Sequence, residues 1–302
     1  MRKLYSPLRY PGGKAKVLEF MKELIKENFS KTKPAYIEPY AGGAAVALGL
    51  LIEDCVTEIY INDFDKAIYS FWQYCVKNNS KKFIKKIIDT EITIEEWFKQ
   101  SEIYNNPNSK IGFDLGFSAF FLNRCNRSGI LKGGGVIGGK SQQGQYKLNC
   151  RFNKEDLIKR IETIVALKDK IHVYNKDAKH LLTQNDLKNL LKNSLLYLDP
   201  PYYKQGKKLY KNYYKHSDHK EISKIMKQLH TKWVVSYDNQ EEICNLYNDF
   251  EKREFNLTYF AGYQNNKREK NGKEVMFFSD KIRKIPNINI IDNQKYFCIK
   301  KK

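Results

Sequence analysis

Apolar and polar positions change period several times along the 302 residues of this chain. From Lys14 to Asn28, apolar side chains fall at Val17, Leu18, Met21, Leu24 and Ile25, the spacing of one helical face. Tyr36-Ile37-Glu38-Pro39 predicts a short strand that ends in the loop Tyr40-Ala41-Gly42-Gly43. An apolar helix over Ala44 to Ile52 and a strand over Glu58 to Asn62 follow, and the strand delivers Asp63 to its end. The pattern then turns helical from about Ala67 to Asn106, with Thr93 and Glu96 as a capping box, and again from about Lys110 to Leu122. Asn123 to Asn149 is glycine-rich and basic and has no helical period. Asn153 and Asp156 open a helix with Leu157, Ile161, Ile164 and Val165 on one face. Short strands return at Ile171-Tyr174, Leu195-Leu198, Trp233-Tyr237 and Val275-Phe278. Strands alternating with helices argue for an α/β fold around a mainly parallel sheet. The helical middle reads as a module inserted between the second and third strands.

Composition narrows the class. With 41% hydrophobic residues the chain has material for a large core. No apolar run approaches membrane-spanning length, and the N-terminal Met1-Pro7 has no apolar signal core. Cysteines at 55, 75, 125, 150, 244 and 298 show no C-x-x-C pair and no His/Cys ligand spacing, so free thiols in a reducing cytoplasm and no metal site are expected. The net charge of +20 points to a polyanionic partner, of which nucleic acid is the commonest. The heavy preference for lysine over arginine fits an AT-rich coding bias, but that bias creates no excess over Asp and Glu.

The chemistry concentrates where strands end. Asp199-Pro200-Pro201-Tyr202 follows the buried-strand run Leu195-Leu198, and ligands of open α/β sheets bind outside such carboxyl ends. Two prolines stiffen the turn and leave its carbonyls unpaired, while Tyr202 offers a flat face with a polar tip. A carboxylate, a carbonyl and a ring suit a planar base with an exocyclic amine: Asp199 and the Pro200 carbonyl each accept one N–H. Glu38-Pro39-Tyr40-Ala41-Gly42-Gly43 lies where a strand passes to a helix, and glycine there lets a ligand approach the backbone. Asp63 stands where an acid accepts hydrogen bonds from ribose hydroxyls, or else caps the helix that begins near Asp65. Arg9-Tyr10-Pro11-Gly12-Gly13-Lys14 places a ring and a cation in a tight turn before the first helix. Gly134 to Ser141 matches a P-loop letter by letter, but it lacks the strand before and the helix after that the pattern requires. A hairpin or loop lying along DNA explains those residues better, with glycines approaching phosphates and Arg124, Arg127, Lys132 and Lys140 supplying cations. Tyr203 to His216 interleaves lysines with tyrosines, which suits an unpaired strand or an opened base. Lys81-Lys86 reads as a helix's solvated face.

In this order, Tyr10-Lys14, Glu38-Gly43, Asp63 and Asp199-Tyr202 resemble the Dam-type (class alpha) site-specific DNA adenine N6-methyltransferases. Leu122-Asn123-Arg124-Cys125-Asn126-Arg127-Ser128-Gly129 is similar to that family's recognition segment, and Lys273-Phe278 to its last strand. The resemblance implies a Rossmann-like methyltransferase sheet with helices on both faces. Residues 1–68 and 166–302 would form the catalytic domain, and 69–165 a mainly helical target-recognition domain with a β-hairpin. It implies S-adenosyl-L-methionine near Tyr10, Lys14, Glu38, Gly42, Asp63, Asp177 and Asp199, and a flipped adenine at Asp199, Pro200, Pro201 and Tyr202. DNA contacts would come from Asn123, Arg124, Arg127, Lys132 and Lys140. The partners implied are double-stranded DNA and a cognate restriction endonuclease, with the chain acting as a monomer. An RNA adenine methyltransferase, a DNA cytosine-N4 methyltransferase and a non-catalytic DNA-binding relative stay open as alternatives.

Overall fold

The computed structural model describes residues 4–9, 17–184, 190–204, 214–259 and 270–288. Tyr10, Lys14 and the stretch 205–213 lie outside the described residues. The chain enters through α1 (Leu18–Asn28), β1 (Ala35–Glu38), α2 (Ala45–Ile52) and β2 (Ile59–Asn62). A helical run follows: α3 (Lys66–Trp72) with a π-helical turn at Gln73–Asn78, α4 (Ser80–Asp89), α5 (Ile94–Asn105), α6 (Phe113–Cys125) and α7 (Lys154–Val165). Then come β3 (Ile171–Tyr174), α8 (Ala178–Thr183), β4 (Ser194–Leu198), α9 (His216–Gln228), β5 (Lys232–Asp238), α10 (Glu241–Leu246), β6 (Glu251–Tyr259) and β7 (Lys270–Phe278).

The seven strands form one sheet in the order β3-β2-β1-β4-β5-β7-β6. Strands β1 to β5 run parallel, and β7 is antiparallel to both β5 and β6. Every residue of β4 is buried, as a continuous apolar run in a two-sided sheet requires. Alternate strand residues therefore enter different cores. Tyr36, Ile59, Ile61, Leu195, Tyr197 and Val234 pack on one face with α1, α2 and the inserted helices. Ile37, Leu196, Leu198, Trp233 and Val235 pack on the other with Leu181 of α8, Ile222 and Met226 of α9, and Ile243 of α10. Helices thus cover both faces. The inserted helices share their core with the sheet: Phe120, Leu157 and Ile161 belong to the same cluster as Leu195.

The insert lies between β2 and β3, as the hydrophobic pattern predicts. Its caps are local: Thr93 accepts from the Glu96 N–H at 3.2 Å and Asn153 from the Asp156 N–H at 3.0 Å. Glu96 does not complete a capping box, because its carboxylate accepts from Gln100 instead. Two expectations are corrected. Strand β6 was not foreseen; its Glu-Lys-Arg-Glu start hides a strand that pairs with β7 alone at the edge of the sheet, where charge is tolerated. The hairpin within Asn123–Asn149 is absent among the described residues. Its place is taken by one isolated bridge, Asn126 to Val136, and short 3₁₀ turns at Arg127–Gly129 and Leu148–Arg151. Gly129, Gly133, Gly135, Gly138 and Gly139 all have left-handed φ, so no pleat can run through them. Gln142 organises the coil instead, donating to the Ile137 and Gly139 carbonyls and accepting from the Leu148 N–H. No helix among the described residues is long and apolar enough to cross a membrane.

Candidate active site at the carboxyl ends of the strands

From β1 the chain steps to β2 and β3 on one side, then crosses to β4 on the other. The crevice between the carboxyl ends of β1 and β4 is therefore the topological switch point of the sheet. Glu38 ends β1, Asp63 follows β2 and Asp199 follows β4, so the strand lengths alone bring three acids to one edge.

Glu38 is buried, and its Oε2 has no hydrogen-bond partner among the described residues. Burial, then the neighbouring Asp199 and Asp63, push its carboxyl well above the usual range against the pull of the Ala47 N–H. Asp63 is half-buried and accepts from the Gly42 N–H at 2.9 Å and the Asp65 N–H at 2.9 Å. Burial and Asp65 raise it to about 7 despite these two donors. The helix cap is Asp65, which accepts from Ala67, so Asp63 is left to face the glycine motif. Gly42 takes φ +47, and its carbonyl accepts from the Trp72 indole at 2.9 Å, pinning the motif to α3.

Sequence reasoning missed the tie beneath this edge. Asn62, buried at the end of β2, donates to the Pro39 carbonyl at 2.9 Å and the Lys176 carbonyl at 3.0 Å, and accepts from the Lys176 N–H. One amide at the end of β2 thus fixes the loops after both neighbouring strands, β1 and β3. Phe64, 54% exposed, puts an unsheltered ring beside Asp63. Asp177 stands at the end of this row. It caps α8 by accepting from the Lys179 N–H at 2.8 Å.

The turn after β4 is held by its neighbours on the other side. Asp199 accepts from the Ser236 hydroxyl at 2.8 Å, and Ser236 in turn pairs with the buried Tyr197 hydroxyl at 2.9 Å. Asp238 accepts from the Tyr203 and Lys204 N–H groups at 2.8 and 3.1 Å. Pro200 is buried and Pro201 half-buried. Tyr202 is buried rather than presented on the surface, and its hydroxyl donates to Glu274 of β7 at 2.7 Å. Ser236, Asp238 and Glu274 were not foreseen. The available signal was polar residues interrupting apolar strand runs. Beyond the turn, Tyr203 and Tyr214 both pack on the buried His219 ring, and the Tyr214 hydroxyl meets that of Tyr40 at 2.9 Å.

The insert divides the residues read as DNA contacts. Arg127, Lys132 and Lys140 are exposed on the coil. Asn123 and Arg124 are not, which corrects their reading as base or phosphate contacts. Asn123 is fully buried, with both ends of its amide on backbone groups. Arg124 donates from Nε to the Arg151 carbonyl at 2.7 Å and from Nη1 to the Pro7 carbonyl at 3.5 Å. Burial and nearby Arg9 lower it to about 9. Its guanidinium is already engaged inside the protein. The Gly134–Ser141 stretch has neither strand before it nor helix after it, so no P-loop forms.

The donor set fits the cofactor that the resemblance implies. S-adenosylmethionine carries an ammonium and a ribose diol, both donors. Glu38 offers a buried carboxyl oxygen without a donor, and Asp63 an acid fixed at a strand end by two backbone N–H groups. Among the described residues, no group of His, Cys, Asp and Glu is arranged to hold a metal ion.

Comparisons with known proteins bear on the family of the chain. Modification methylase StsI of Streptococcus sanguinis is 26% identical over 209 residues, which cover 65% of this chain and 28% of that protein. The chain thus spans under a third of that relative's length. Two structures of the rRNA methyltransferase aviRa from Streptomyces viridochromogenes align with 87% and 88% of the chain and 84% of theirs, at 9% identity. Their TM-score of 0.37 is too low to carry an argument. The family model for D12 class N6 adenine-specific DNA methyltransferases matches residues 10–261, most of the chain and every motif at the strand ends, so the chain belongs to that family.

Proposed function

We propose that this chain transfers a methyl group from S-adenosylmethionine to N6 of adenine in double-stranded DNA, with the adenine flipped out of the helix. The observation that carries the reading is the Asp199–Tyr202 turn, set at the switch point beside Glu38 and Asp63 and braced by Ser236, Asp238 and Glu274. Family membership and a relative named as a modification methylase support it.

Adenine N6 is a poor nucleophile because its lone pair is conjugated with the ring. Asp199 and the Pro200 carbonyl accept its two hydrogens, which draws the lone pair out of conjugation and aims it across the crevice. Ser236 fixes the Asp199 carboxylate for that task. Tyr202 closes the pocket with its ring, its hydroxyl being tied to Glu274. The cofactor supplies an electrophilic methyl on a sulfonium. Around it, Glu38 takes the ammonium and Asp63 the ribose, with Gly42 allowing close approach, Asp177 and Phe64 at the base, and Tyr10 and Lys14 completing the site. The chain's contribution is position and electrostatics, with no covalent intermediate. Flipping the base requires a few kcal/mol, which contacts with the duplex must offset.

Residues 1–68 and 166–302 serve chemistry, and 69–165 serve target recognition, with Arg127, Lys132 and Lys140 on the DNA side. The same reading has the chain work in the cytoplasm as one subunit per site, beside a cognate restriction endonuclease.

The test is single-molecule sequencing of DNA from a methylation-free bacterial host expressing the wild type or Asp199→Ala. The expected result is N6-methyladenine in one short motif with the wild type and none with the variant. Folded wild-type protein that leaves adenine unmodified would turn the reading toward RNA, cytosine N4 or binding alone.

A further inference from the structure

Asn123, Arg124 and Arg160, all in the insert, converge on Ser6, Pro7 and Arg9 near the start of the sequence. Arg160, oriented by Asp156, donates to the Ser6 carbonyl at 3.1 Å. Arg124 reaches the Pro7 carbonyl. Asn123 accepts from the Arg9 N–H at 2.6 Å and donates to the Arg9 carbonyl at 2.5 Å, a pairing of the kind one strand makes with the next. Its remaining N–H goes to the Gly129 carbonyl at 2.9 Å. Every hydrogen-bonding position of this amide apart from one lone pair is therefore used. Arg9 returns the contact, its Nη1 donating to the Asn126 carbonyl at 3.2 Å. A Cβ on Gly129 would collide with the Arg9 carbonyl, so the two backbones touch.

Both parties to this clamp lead somewhere. Gly129 belongs to the coil that carries Arg127 and Lys132, held by Asn126 and by the bond from the Arg127 N–H to the Gly135 carbonyl. Arg9 is the last residue before the Tyr10–Lys14 motif. We propose that Asn123 is a positioning residue for the cofactor: it sets the entry to Tyr10–Lys14 from the same turn that carries the DNA-facing coil, joining the two sites through one amide. The inference rests on the reading that Tyr10–Lys14 binds S-adenosylmethionine. It accounts for why an Asn-Arg pair in a basic segment is buried instead of facing a duplex.

The experiment is isothermal titration of S-adenosylhomocysteine into the full chain without DNA, beside hydrogen exchange of a peptide spanning residues 4–16. Asn123→Ala should raise the dissociation constant about tenfold or more and strip exchange protection from Ser6–Arg9. Turnover at saturating S-adenosylmethionine should change far less than KM, a split that general loosening of the fold would not give. Arg9→Pro, outside every helix and strand, removes the N–H that Asn123 accepts from, together with the guanidinium bond to the Asn126 carbonyl. It should reproduce the weaker binding, and it decides the question if Asn123→Ala does not fold. Arg127→Ala should leave S-adenosylhomocysteine binding unchanged and weaken binding of a mixed-sequence duplex. Folded Asn123→Ala and Arg9→Pro proteins that bind S-adenosylhomocysteine within about twofold of wild type would overturn the positioning role alone. A wild type that binds none would overturn the methyltransferase reading first, and this inference with it.

Discussion

The strand-end crevice and the coil between α6 and α7 are both crowded with polar groups, but they satisfy them in opposite ways. At the strand ends, acids lie close together, and one buried carboxyl oxygen is left over. Glu38 Oε2 has no partner among the described residues, and burial raises the Asp63 carboxyl to about 7. In the coil, the inward polar groups are matched to backbone carbonyls and N–H groups, leaving cations on the outside. The first arrangement is incomplete without a ligand that donates hydrogen bonds. The second is complete within and presents cations outside. A buried polar group left open signals binding, whereas one fully bonded signals construction.

Asp199→Ala should have the largest effect on the crevice, lowering methyl transfer by about 10²–10³ while the thermal midpoint stays close to wild type. Unchanged turnover would remove the acid from the chemistry and break the contrast. Gly116→Ala probes the insert's construction. A Cβ there would lie 2.7 Å from the Ser70 backbone, so urea unfolding should show a loss of about 1–3 kcal/mol. Because insert and sheet share a core, a single transition is expected; two would show that the insert folds by itself.

Acidity sharpens the comparison further. Asp63 has its carboxyl raised to about 7, so between roughly pH 4 and 7 the folded chain binds more protons than the unfolded one. Without ligand, this group makes the fold more stable as pH falls through that window. Cofactor binding should run the other way, because ribose hydroxyls need the charged acid. The dissociation constant for S-adenosylhomocysteine should rise by up to about tenfold per pH unit below 7, and Asp63→Asn should flatten the profile. The smallest effect belongs to the coil's outer cations. Arg127→Ala and Lys140→Ala should each lower the slope of log affinity against log salt by about 1 for a duplex. No change in slope would take that residue off the DNA surface.

Much of the fold was legible because strands buried on two faces announce themselves. Leu195–Leu198 and Trp233–Val235 allow few other readings, and an acid just beyond such a run can point only into the edge crevice. Strand β6 was illegible because its first residues are charged, and an edge strand needs no second apolar neighbour. The coil was half legible. Glycines and cations marked it as irregular and basic, yet the chain text is the same whether a guanidinium meets a phosphate or a carbonyl. What turned Asn123 inward is the Ser6–Arg9 segment, 114 positions away in sequence. Ser236 and Glu274 were hidden for the same reason, since their partners Asp199 and Tyr202 lie on other elements.

A chain that leaves the sheet at Asn62 and returns on the adjacent strand at Ile171 has placed its whole insert within one crossover. The sheet registers where that excursion starts and ends, and little of its outer contour. Residues 138–147, beyond the buried Val136 that bridges Asn126, carry little of the shared core. Asn123 and Asn126 keep their grip before that stretch, and Phe152 keeps its seat against Phe120 and Phe121 after it. On the proposed function, exchanging that stretch would change target choice and leave the strand-end site as it is.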